Sequence, residues 1–588
     1  MLAYSDGFYS AVHFELRVSN FVHESRTWRN DSRSLDSASC LLGIDMSAPG
    51  MKMDCYCRGS VLIGAVLACF VFLSGACGAE VESVYARRVW DCLTILMGDG
   101  TDRYGRSNAP ILVSILDVET RQCPSNPAAL DEAWRAVRRE RRNPAGANLL
   151  TDLPMLKTMY SLSKIASEEK FAHFADRYVG WYLQHLVDER GFIWWGWHRH
   201  FDVFADKRAG HLGNHHEIHA IHDIPWAQLW NVNSNAVLRE IEAIWRWHVI
   251  DKETGEVDRH GDGVRGCDFA MSAGSCAEAF AFLHRQTGER VWLDRVRLLS
   301  DRYWNSRNPA TGLFPDRPNA GANRFDGSHF LTSDTGLFCH SLFKCTELTG
   351  DARFQDQAVT YLKAYGRYGF DAQTGKFWGS LNLDGTPVRG PRVPPPAGQD
   401  QELQAEEYGI YEPRGHLDLW QPYVAGYEHP IATAQMFAFA ALRTGDSELR
   451  VTAERFARWI GRELPPRQCE TNTWYRGYSQ QYAPRGTYAG IYGQTISFFI
   501  QMFLLTGDAH YLNTAQQVAE DATERLEYRG LFRGHPAKPY YEALDGVGCL
   551  LYSLLQLDRV LVDRERALVL KSIPLHRDDA ATLALDNW

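Results

Sequence analysis

Several things are scarce in this chain, and each scarcity closes a door. There is no basic excess: the formal net charge is -10, and no Lys/Arg run follows a helix as phosphate binding would require, so nucleic acid is not an expected partner. Long apolar runs are scarce too, the one that stands out being Val61 to Ala76, so no stable membrane span is expected. No C-x-x-C pair follows residue 79, which excludes a zinc ribbon on spacing. The H-E-x-x-H pattern of zinc proteases fails as well, because Ala220 stands where the second histidine of His216-Glu217 would fall.

The apolar run follows Lys52 and Arg58 and leads into small residues through Ala79, the layout of a secretory signal. Residues 51–79 therefore read as a signal peptide, and the protein as secreted or periplasmic. The Ser-rich residues 1–50 read as a mis-annotated or disordered leader, since such a signal belongs near the initiator. Five of the 13 cysteines precede or fall in the cleavage zone, leaving eight. Cys267 with Cys276, or Cys339 with Cys345, are candidate disulfides in an oxidising compartment.

What is present is a globular composition, with 45% hydrophobic and 23% charged residues, and many flat rings, including 18 Trp, of the kind sugars stack on. A joint recurs along the chain: LHRQTGERVWL, ELTGDARF, ALRTGDSEL and FLLTGDAHYL. In each, glycine accepts the left-handed conformation that stops one helix and an acid favours the start of the next. The threonines at 287, 349, 444 and 506 are spaced by 62, 95 and 62 residues, the long interval holding a Pro/Gly-rich insertion from Gly390. SLSKIASEEKF from Ser161 and LWNVNSNAVL from Leu229 look like degenerate copies. Such a period describes α-hairpins stacked into a mainly α (α/α) toroid of about six or seven hairpins, with long loops and room for small β-hairpins. It would span residues 80–565, with 566–588 as a tail.

Between Trp194 and Asp262 lie nine of the chain's 21 histidines: His198, His200, His211, His215, His216, His219, His222, His248 and His260. On a helix, His215, His219 and His222 would share one face. The segments WGWH, H-E-I, W-x-x-H-V and DRHGDG together resemble the metal-dependent pectate lyases of polysaccharide lyase family two, which have an α/α toroid. DGTDRYGRSNAPILVSILDVET from Asp99 is similar to part of their N-terminal region.

The resemblance implies a lyase that cleaves a uronic-acid polysaccharide, with His198, Glu217 and His260 as ligands of a divalent metal and Arg259 as the base. His200 is the alternative to His198, and His248 or His219 are substitutes for the base. His215, His216, Trp197, Lys538 and Tyr540 are candidates for contacting the acidic polysaccharide or oligosaccharide substrate, although Lys538 and Tyr540 would serve equally to close the ring against the first hairpin. Mixed imidazole and carboxylate ligands suit Mn, Zn or a similar ion better than Ca. Two other readings share the helical period: a glycoside hydrolase using two carboxylates among Asp102, Asp262, Asp268 and Glu278, and a solenoid that only binds glycan or protein.

Overall fold

The joints between helices follow one chemical pattern four times over. In a computed structural model of the chain, Gly288, Gly350, Gly445 and Gly507 all have φ between 70° and 77°. Each glycine amide closes the preceding turn, as in Gly350 N to Thr346 O at 2.8 Å. The threonine before it bonds back to the carbonyl four residues earlier and receives the amide of the acid that follows, as Thr349 does with Cys345 O (2.7 Å) and Asp351 N (3.1 Å). Asp446 and Asp508 then cap the next helix through their side chains, satisfying amides that a helix start leaves orphaned.

The structure describes residues 84–125, 146–196, 199–218, 224–266, 268–318, 327–332, 334–389, 414–417, 419, 430–465, 486–536 and 538–562, all within the unit spanning 77–588. The expected leader, the expected signal peptide and most of the insertion lie outside them. The described helices are α1 (Val84–Asp99), α2 (Leu149–Ala166), α3 (Lys170–His185), α4 (Trp226–Ala243), α5 (Ala270–Thr287), α6 (Arg290–Ser306), α7 (Cys339–Thr349), α8 (Arg353–Tyr368), α9 (Pro430–Thr444), α10 (Ser447–Glu463), α11 (Ala489–Thr506), α12 (Ala509–Leu526) and α13 (Val547–Val562).

Packing runs in a closed circuit. α2 lies against α13, α13 against α11, and α11 against α9; α9 meets α7 through the π-helical turn Asp334–Phe338, α7 meets α5, and α4 with α3 returns the circuit to α2. The fold is thus an (α/α) toroid, with inner helices such as α9, α11 and α13 mostly buried and outer helices amphipathic. α11 shows the contrast: it is long and apolar enough to cross a membrane, a second long apolar stretch beside Val61 to Ala76, yet 78% of it is buried among its neighbours as part of the inner wall.

Short joints gather at one end of the ring and longer loops at the other. The loops carry a second repeat, an Asp or Asn whose side chain caps a tight turn that opens a short hairpin. Asp251 Oδ1 accepts the Glu253 and Thr254 amides, Asp371 Oδ1 that of Gln373, and Asp188 Oδ1 those of Arg190 and Phe192. Gly255, Gly375 and Gly191 follow with positive φ. At the ring junction the strand Ile115–Asp117 pairs antiparallel with Tyr540–Glu542.

Two expectations need correction. Leu229 to Leu238 is not a glycine joint but the interior of α4, broken at Asn233 (φ -152°, ψ 86°), whose side chain receives the Ala236 amide at 3.1 Å. Cys339, Cys345 and Cys276 are buried thiols, so the pairs proposed for them do not form; Cys267 lies outside the described residues.

Candidate active site at the loop end of the ring

Two short segments, 214–218 and 258–262, lie side by side on the loop end. Ile218 N donates to Arg259 O at 2.9 Å, Asp262 N to Asn214 O at 3.3 Å, and His215 bridges to Gly261. Asp258, buried, organises the second segment by accepting the amides of His260 (3.1 Å) and Gly261. This pairing corrects the expectation of a helix over His215 to His222: residues 215–218 are not helical, and His219 and His222 lie outside the described residues.

The pairing brings Glu217, Arg259 and His260 together. Arg259 Nη2 donates to Glu217 Oε1 at 2.7 Å, and His260 Nε2 lies 3.7 Å from the same oxygen. The Glu217 and Arg259 side chains are almost wholly buried, while that of His260 is 29% exposed and faces the mouth. His215 stacks on His260 with centroids 5.6 Å apart, and His211 lies tilted against His215 at 4.9 Å.

Beside them sits a buried charged cluster. His216 stacks on Phe192 at 3.9 Å; its Nε2 lies 2.6 Å from Asp188 Oδ2 and its Nδ1 2.7 Å from Asp262 Oδ2. Arg190 reaches Asp262 at 2.7 Å and Arg199 approaches Asp188 at 3.7 Å. Burial alone would raise both aspartates, but the hydrogen bonds and charge of His216 outweigh it and hold both below the usual carboxylate range. Burial pulls Arg199 down to about 10 and pushes Glu240, which accepts the Ile193 amide at 2.6 Å, up to about 8.

The remaining candidates are placed as follows. His198 and Trp197 lie outside the described residues. His200 packs against Gly146, where a Cβ would collide with its ring, and alternates along the strand with Arg199, which faces the cluster; it therefore points away from Glu217. His248 is buried, its Nδ1 2.7 Å from Asp258 O, and burial draws it down to about 4. His216 has both nitrogens engaged by carboxylates, which removes it from substrate contact and metal ligation alike. Lys538 is buried against Glu542 (3.1 Å) and Asp545 (2.6 Å), and Tyr540 belongs to the strand pair at the ring junction. Both residues lie at the ring junction.

The carboxylates considered for a hydrolase have structural partners. Asp102 accepts the Tyr104 and Ala109 amides, Asp268 pairs with Arg302 at 2.6 Å, Asp262 holds His216, and Glu278 lines a cavity of about 290 Å³ inside the ring. Sequence reading missed Asp188, Asp258 and Glu240. The D-E-R-G turn signal at Asp188 was visible, but nothing local pointed to His216.

Among the described residues, no group of three or more His, Cys, Asp or Glu stands ready for a metal. Two of the three residues implied as ligands can be tested directly. Ligands about 2.1 Å from one ion stand roughly 3.0–3.6 Å apart at angles near 90–120°, and the 3.7 Å between Glu217 Oε1 and His260 Nε2 is close to that spacing. The pair fits a shared cation.

Residues 131–271 match the family described as periplasmic pectate lyase. The chain is also 30% identical over 126 residues to a pectate disaccharide-lyase of Dickeya dadantii (strain 3937), a stretch covering 21% of this chain and 23% of that protein. The matched part thus spans about a quarter of the relative. Among solved structures, a D-mannose isomerase is similar at TM-score 0.43 and 10% identity, over 70% of this chain and 98% of that one. An unsaturated glucuronyl hydrolase from Bacillus sp. GL1 is similar at TM-score 0.40 and 11% identity, over 81% and 97%.

Proposed function

We propose that this chain is an exported, metal-dependent polysaccharide lyase that cleaves a pectate-like glycan of uronic acids by β-elimination. The observation that carries the reading is the meeting of Glu217, Arg259 and His260, drawn from two loops, inside the stretch that matches the pectate lyase family. That family's description as periplasmic, together with the signal-like residues 51–79, supports export.

In β-elimination a base removes the proton at C5 of a uronic acid. The electron pair forms the C4–C5 double bond as the C4–O bond breaks, and the departing oxygen takes a proton. The C5 proton is reluctant to leave because the adjacent carboxylate is already negative. A divalent ion such as Mn or Zn, held by Glu217, His260 and, as the resemblance implies, His198, would act as a Lewis acid on that carboxylate.

Arg259 is the base that the resemblance implies. Its side chain is buried, and its contact with Glu217 fixes where its nitrogens point. His215, half-buried and stacked beside His260, would contact the sugar, and Trp197 would add an aromatic face.

The test is incubation of the purified protein with polygalacturonate, alginate and a neutral mannan, with and without chelator. Ultraviolet-absorbing unsaturated ends should form from a polyuronide alone, and chelator should stop them. Reducing ends without that absorbance would replace the lyase by a hydrolase, and no cleavage at all would leave a binding protein.

A further inference from the structure

His216 is the most heavily restrained side chain near the site, and the candidate chemistry does not use it. Its ring nitrogens lie 2.6 Å from Asp188 and 2.7 Å from Asp262, and its backbone N–H also donates to Asp262, at 3.2 Å. Ionised carboxylates only accept hydrogen bonds, so both nitrogens of the ring must donate. The ring is further fixed by its stack on Phe192. Asp188 is one copy of a turn that recurs around the ring: its Oδ1 does the common work of capping the turn, while its Oδ2 is turned onto His216. Three loops, 188–192, 214–218 and 258–262, are thereby tied at one imidazole.

We infer that His216 is the positioning residue of the site, a two-donor clamp between Asp188 and Asp262 that sets the register of Glu217 against Arg259 and His260. The side chain next to His216 is Glu217, and the segment that Asp262 anchors carries Arg259 and His260. The register between the two segments rests on Ile218 N to Arg259 O, the His215–Gly261 bridge and the grip of Asp262 on residue 216. Loosening that grip lets Glu217 slide relative to its partners without removing any group that touches substrate. Its catalytic consequence rests on the lyase reading; its structural consequence does not.

The test compares the full-length wild type with H216Q, which keeps a donor, with H216F, which keeps the stack on Phe192 but no donor, and with D188N, which leaves the Asp262 side of the clamp in place. Partners that orient a ligand set typically change affinity or activity by about 10–100-fold. H216F should therefore lower kcat on polygalacturonate about 100-fold and H216Q and D188N about 10-fold, with KM within about twofold and the far-ultraviolet circular dichroism unchanged. Hydrogen exchange at the Ile218 amide should quicken in the same order. Folded H216Q and H216F proteins with wild-type kcat would overturn the inference, as would unchanged Ile218 exchange.

Should H216F fail to fold, H216Q and D188N carry the comparison. If the wild type makes no unsaturated ends from any polyuronide, the lyase reading fails. The clamp is then judged on Ile218 exchange together with Mn²⁺ affinity, which should fall about 10–100-fold in H216Q; if neither moves, the clamp fails too.

Discussion

Replacing Asp152 by Asn should make the protein's stability less sensitive to alkali, by an amount the structure sets. Asp152 lies in the first turn of α2 with no exposed surface, where Tyr178 donates to its Oδ2 at 2.6 Å. Burial pushes its carboxyl up from 3.8 to about 8, against the lowering effect of the Tyr178 hydrogen bond. Because the folded value is the higher one, the native chain keeps a proton that the unfolded chain loses, and stability falls as pH rises from about 4 to about 8.

Each pH unit in that window is worth about 1.4 kcal/mol. Between pH 5 and pH 8 the wild type should therefore lose on the order of 4 kcal/mol relative to D152N, whose amide does not titrate. With roughly 2.1 cal/mol/K of unfolding entropy per residue over nearly five hundred residues, this corresponds to a Tm difference changing by about 4 °C. The amide's own hydrogen-bonding cost is the same at every pH and cancels. Scanning calorimetry of both proteins at several pH values reads the difference, and parallel Tm profiles from pH 5 to pH 8 would refute the buried protonated acid.

Other outcomes follow from the same coordinates. Gly350→Ala places a side chain in open space at φ 77°, so its cost is conformational alone, about 1–2 kcal/mol in a urea titration. Lys538→Met leaves Glu542 and Asp545 buried without their cation and should destabilise by about 3–5 kcal/mol, with activity per folded molecule retained, because Lys538 belongs to the ring junction.

Much of the architecture was legible because its signals are local. The Thr-Gly-acid joint is complete within a few residues, and all four copies fold as that chemistry dictates. The segment from Arg533 closes the ring, one of its two expected roles, and does so by pairing a strand with Ile115–Asp117. The Asx-capped hairpins are equally local, in DKETG and DAQTG, and fill the room left for small β-hairpins between helices.

The site was legible only in part, for a different reason. Glu217, Arg259 and His260 could be picked out by resemblance, and they do meet. Histidine spacing alone suggested a helix across His215 to His222, whereas tertiary pairing with residues 258–262 holds 215–218 out of a helix. His216 looked like a substrate contact because a sequence does not reveal that Asp188 and Asp262, 28 and 46 residues away, will claim both its nitrogens. The kink of α4 at Asn233 is a similar case, a break made without glycine or proline.

The central claim, that Glu217 and His260 jointly hold a cation beside Arg259, is tested most directly by calorimetric titration of Mn²⁺ into the metal-stripped wild type, E217A, H260A and D152N. One site per chain is expected in the wild type and in D152N, with binding lost in E217A and H260A. Undiminished binding in both E217A and H260A would contradict the account.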